Sequence, residues 1–200
     1  MPRTPHPTRE RLIEVTMTML DGDHPDKIHV DEVLLVSGIS KGSLYHHFND
    51  FGDLIEEALV RRFTLFVDQS IAVITQLMNA ATTKEEFVAG LKKVTRLTQD
   101  PARYANRFER ARALGMAGNN DRFRNGLAQE QDRITAALED LFRESQNRGW
   151  MVPDFDPRAA AVLIQAYTLG QVINDVATVQ YDNDSWIALI DRILDRVFSS

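Results

Sequence analysis

The chain has 200 residues, 44% apolar and 26% charged, with five histidines, no cysteine and a formal net charge of −6 at pH 7. That length allows one or two domains with a sizeable core, and the lack of cysteine excludes a disulfide framework, a thiolate zinc site and a cysteine nucleophile. The first twenty residues have no signal-peptide core and no apolar run is long enough to span a bilayer, so a cytoplasmic protein with no membrane partner is expected.

The pattern is helical throughout with no competing strand signal, which predicts an all-α fold of about nine helices. The first helix is expected over Thr8 to Leu20 with Thr8 as its cap, ending in the polar DGDHPD loop. Val30, Val33 and Leu34 then form a short apolar stripe, Gly38 can take the left-handed conformation of a tight turn, and Ser40 can cap the helix that follows. Two short helices around such a turn make a helix-turn-helix, and Lys41, Gly42, Ser43, Tyr45 and His46 are group types that suit phosphates and base edges.

From Asp50 to about Asn79 the apolar positions keep a helical period, giving a connector roughly 45 Å long at about 1.5 Å per residue. Thr83 and Glu86 form a capping-box pattern opening a helix to about Leu97, and a sixth helix is expected over Pro101 to Met116. Gly118, Asn119 and Asn120 break the chain before a long amphipathic segment that runs to about Asn147 and ends at Gly149. After a Val152 to Pro157 linker, Ala159 to Ala177 reads as one helix apolar almost all round, and a last helix is expected from Ser185, its cap, to Phe198.

The run G-I-S-K-G-S-L-Y-H-H-F from Gly38 to Phe48, followed by Leu54, resembles the end of the DNA-binding head of the tetracycline-repressor (TetR) family. The resemblance covers roughly Thr8 to Leu54. It implies a head of residues 1–50 and an effector-binding and dimerisation body of residues 51–200, with the second short helix in the major groove. The DNA-facing set is then Ser40, Lys41, Ser43, Leu44, Tyr45 and His46, with His29 at the start of the preceding helix and Phe48 in the core. Phe51 stands where the family usually has a lysine, His29 where it usually has a threonine, and His24 where a glycine is expected.

The first fifty residues carry five Lys or Arg against eight Asp or Glu, a net of −3, whereas most phosphate-binding domains are basic. Reconciling this with DNA binding requires geometry: Asp21, Asp23 and Asp26 in one loop, and Arg3, Arg9, Arg11 and Lys41 on the opposite side. All five histidines lie in this segment, so DNA binding is expected to strengthen as pH falls.

In the body, two readings of the last helices stand. They are either well-packed core or, as the resemblance implies, a homodimer interface through Ala166, Leu169, Gly170, Ile173, Trp186, Ile190, Ile193 and Val197. Phe66, Met78, Tyr104, Phe108, Met116, Phe123 and Tyr167 are either core residues or the lining of a site for an apolar or aromatic small molecule. The Arg103, Arg107, Arg110 row, with Arg112 nearby, is either solvated, paired with acids such as Glu56 and Glu57, or an anion site for an effector. Asp21, Asp23, His24 and Asp26 match no full calcium loop, and adjacent His46 and His47 cannot chelate as an i, i+4 pair, so no metal site is expected.

With no phosphate loop and no nucleophile, base and orienter at recognisable spacing, the chain is not expected to be an enzyme or to need a cofactor. The expected function is a homodimeric repressor released from palindromic double-stranded operator DNA by a small molecule. The alternative is a helical ligand-binding or protein-interaction dimer with weak or lost DNA binding.

Overall fold

The computed structural model describes residues 6–21, 24–118 and 120–198, which are helical without a strand. In chain order the helices are α1 (Pro7–Leu20), α2 (Val30–Ser37), α3 (Lys41–His47), α4 (Phe51–Ala80), α5 (Lys84–Gln99), α6 (Tyr104–Ala117), α7 (Asp121–Asn147), α8 (Pro157–Gly170), α9 (Val172–Asp175) and α10 (Asn183–Val197). Single 3-10 turns at Pro25–Lys27 and Pro101–Arg103 precede α2 and α6.

The helix starts follow local chemistry. Asp50 caps α4 by accepting from Asp53 N at 2.7 Å, Thr83 and Glu86 form the expected capping box, and Asn120 caps α7 by accepting from Phe123 N at 3.0 Å. Two expected caps shift. Helix α1 begins at Pro7, whose fixed φ suits a first helical position, so Thr8 lies inside the first turn. Helix α10 is capped by Asp182, whose carboxylate accepts from both Ser185 N (3.0 Å) and Ser185 Oγ (2.7 Å).

The 30-residue α4 is the spine: its proximal half packs against α1 and its length against α7. Leu54, Ala58 and Val67 are wholly buried along it, and Gly126 of α7 allows a close approach, since a Cβ there would lie 3.1 Å from Val60 Cγ2. Helix α7 continues against α8, while α10 closes on α5.

The segment expected as one helix from Ala159 to Ala177 is broken at Gln171 into α8 and the single turn α9. The cause is tertiary. Gln171 is buried and accepts a hydrogen bond from Tyr181 Oη, and Asp175 is drawn onto the buried Arg107 of α6. The sixth helix starts at Tyr104 because Asp100 caps the preceding 3-10 turn. Among the expected loop and charge positions, Arg3, Gly22, Asp23 and Asn119 lie outside the described residues.

Candidate DNA interface and ligand cavity

The head is built as a helix-turn-helix. Gly38 ends α2 at φ 70°, and Ser40 opens α3 by accepting from Ser43 N at 3.2 Å. Leu44 and Phe48, one helical turn apart, face inward and share the buried core with Leu12 and Val33. Leu44 is 0% exposed, so it anchors α3 and is removed from the expected DNA-facing set. The outward face of α3 carries Lys41, Tyr45 (45% exposed) and His46, with Ser40 at its start and Ser43 half-buried. His29 is exposed at the start of α2 and makes no side-chain cap.

Charges in the head are partly committed internally. Arg9 pairs with Glu57 and lies over the Phe48 ring, 5.3 Å from its centroid, which ties α1 to α4 and leaves Arg11, Lys27 and Lys41 as exposed cations. His47 sits between rings, 4.6 Å from His6 and 5.1 Å from His46. Its pKa is lowered from the ordinary value of 6.5, first by desolvation and then by repulsion from His6, His46 and Arg9. His24 Nδ1 accepts from Asp26 N (3.3 Å) and caps the first 3-10 turn. No group of three acidic or imidazole side chains suited to a metal occurs among the described residues.

Helices α1, α4 and α6 line an open cavity of about 490 Å³. Arg62 of α4 braces its mouth: Nη1 donates to Met17 O (3.0 Å) and to Asp21, while Nε (2.5 Å) and Nη2 (3.0 Å) donate to Glu109. These acids, Glu109 foremost, raise the Arg62 pKa further above its ordinary value. Arg110 enters the same cavity from α6 with its guanidinium 4.2 Å from the Phe66 ring centroid.

Of the seven expected ligand contacts, only Phe66 lines this cavity. Phe123 is core, Met78 and Met116 are half-buried against it, and Tyr167 Oη lies 3.3 Å from Thr95 Oγ1. Tyr104 and Phe108 meet edge to face at 5.6 Å, with Tyr104 largely exposed. The sequence reading missed Met17, Arg62 and Glu109, because a cavity assembled from helices more than forty residues apart leaves no local periodic mark. The arginine row was the one available signal.

Helices α8 and α9 and the residue after α9 leave Val162, Leu163, Ile173 (77% exposed) and Val176 uncovered, and α10 leaves Leu189 and Ile193 (46%) uncovered. Ala166 is exposed and Leu169 and Gly170 are half-buried; a Cβ on Gly170 would meet nothing within 4 Å. Ile190, at 3% exposed, faces its own core, and Trp186 is held inward by its Nε1 donating to Gln99 Oε1 at 2.9 Å. Val197 is half-buried against the core.

No family model matches the chain. A relative, the transcriptional regulator AcuR of Cereibacter sphaeroides, is 28% identical over 170 residues, spanning 80% of this chain and 71% of that protein. A TetR-family transcriptional regulator from Mesorhizobium loti superposes with a TM-score of 0.69 at 16% identity, over 95% of this chain and 94% of its own. The fold is that of the TetR family. Salmonella enterica GusR superposes over 100% of this chain and 99% of its own, with a TM-score of 0.66 at 20% identity.

Against the TetR pattern, this head departs in chemistry rather than architecture. Phe51, where the family usually carries a lysine, is half-buried against the core, so packing takes the place of a surface cation there. Leu35, 82% exposed on α2, presents an apolar side chain where the family usually has a polar one.

Proposed function

We propose that the chain is a homodimeric, ligand-responsive DNA-binding regulator, a repressor released from a palindromic operator by a small molecule. The observation that carries this reading is the division of α3 into an inward anchor, Leu44 and Phe48, and an outward face of Ser40, Lys41, Tyr45 and His46 on a fold shared with transcriptional regulators. Dimerisation is supported by the uncovered apolar side chains of α8, α9 and α10, and a two-fold dimer requires half-sites about 34 to 36 Å apart or a multiple of that. Ligand response is supported by the cavity, whose walls come from the head (α1), the connector (α4) and the body (α6), so that an occupant can shift one against another.

A shift assay with DNA flanking the protein's own gene tests this. Binding at low salt that weakens with a shallow slope as salt rises is expected, since the head carries few free cations. No complex at the lowest salt would instead support the alternative dimer without strong DNA binding, the reading that the exposed Leu35 and the net −3 of the first fifty residues favour.

A further inference from the structure

We infer that the cavity between α1, α4 and α6 is a carboxylate site, in which Arg110 binds the acid group of a small aryl or alkyl carboxylic acid whose apolar part lies along Leu59, Phe63 and Phe66. The inference rests on the ligand-responsive reading above and names the ligand class.

The starting point is the fate of the arginines. Arg107 is closed by Asp175, with Nε and Nη2 donating at 2.7 and 2.8 Å, and Arg62 is closed by Glu109, Asp21 and Met17 O. Arg110 has no hydrogen-bond partner among the described residues, and its Nε is buried without one. One face of its guanidinium is covered by the Phe66 ring. Arg112 Nε is also unpartnered, but Arg112 does not line this cavity.

Arg110 is half-buried with its Nε shut off from water and unpartnered, and a cation with a desolvated, unpaired donor is completed by an anion that reaches it from the open side of the cavity. Desolvation pushes the Arg110 pKa down to about 10, which still leaves it charged at neutral pH. None of the three acids that line the cavity pairs with it. Glu109 and Asp21 are already held by Arg62, and Glu14 is exposed on α1. The planar fork of a guanidinium matches a carboxylate, and a single free cation beside Leu59, Phe63 and Phe66 fits a monoanion with an apolar body rather than a hydrated inorganic anion. The volume of about 490 Å³ accommodates such a molecule.

The test is calorimetry and thermal shift on the full chain with phenylacetate, benzoate and octanoate, using phenylacetamide as the neutral isostere and inorganic phosphate as the apolar-free anion. At least one acid should bind and raise the melting temperature, while phenylacetamide and phosphate do not. Arg110→Met should weaken the acid about 10-fold or more, as loss of a charge-assisted hydrogen bond does, while retaining the fold. If that variant does not fold, Arg110→Lys is used, which keeps the charge but loses the fork and should weaken the acid less.

Silence of all three acids, equal binding of acid and amide, equal binding of phosphate, or undiminished acid binding by a folded Arg110→Met protein would overturn the assignment. A parallel shift assay separates the two proposals. DNA binding without acid binding removes the carboxylate site alone, and acid binding without DNA binding removes the regulator reading alone.

Discussion

Arg107 and Arg110 lie three residues apart on α6 and meet opposite fates. The first is sealed by Asp175 and by the Asp100 carbonyl at 2.9 Å; the second is half-buried over Phe66, its Nε without a partner. The same division recurs elsewhere. On α3, Leu44 is enclosed while Tyr45 beside it is exposed, and on α10 Ile190 is enclosed while Ile193 is not. Side chains that the fold closes on itself hold it together, and their open neighbours are left for something outside the chain. Substituting a closed member should cost folding stability, and substituting an open one should cost binding.

The largest effect is expected at the closed arginine. Asp175→Ala leaves Arg107 buried and uncompensated, which should cost about 3 to 5 kcal/mol and lower the thermal midpoint by roughly 6 to 20 °C. Unfolding monitored by circular dichroism measures it; a shift of a degree or two would mean that water replaces the carboxylate.

Leu44 and Tyr45 come next. Leu44→Ala should destabilise the chain by about 2 to 5 kcal/mol, whereas Tyr45→Ala and Lys41→Ala should leave the midpoint unchanged and weaken DNA binding by about 1 to 3 kcal/mol each. Loss of stability in Tyr45→Ala would show that α3 packs differently.

On the body, Ile173→Arg should yield folded monomers by light scattering, because its target is exposed, whereas Ile190→Arg should unfold the chain. A wild-type monomer at micromolar concentration would remove the dimer and the palindrome together.

The smallest expected effect concerns pH. His47 has a lowered pKa in the folded chain, so its contribution to stability is present above pH 6.5 and is lost as pH falls through its folded value. His47→Gln should flatten this trend in a pH series of melting assays.

These contrasts also mark what the sequence could tell. Gly38 and Gly149 act through their own backbone conformation, and Ser40, Thr83 and Glu86 through side chains that bond backbone three residues away, so the turn, the capping box and the end of α7 were legible. Leu44 was readable in principle: it stands four residues before Phe48 and therefore shares its buried face, a spacing that the family resemblance overrode. Ile187, Ile190 and Leu194 likewise repeat on one stripe of α10. The break at Gln171 depends on Arg107 and Tyr181, and the cavity depends on α1, α4 and α6 meeting, so neither has a local signature. The arginine row was visible, but which of its members the fold would neutralise was not.

The central claim is that a molecule in the junction cavity and DNA on α3 oppose one another. Calorimetry of phenylacetate, or whichever probe acid binds, with and without saturating operator DNA tests it directly. The account predicts that DNA weakens the acid by the same factor as the acid weakens DNA, typically about 5- to 150-fold. Equal affinities in the two states would contradict it.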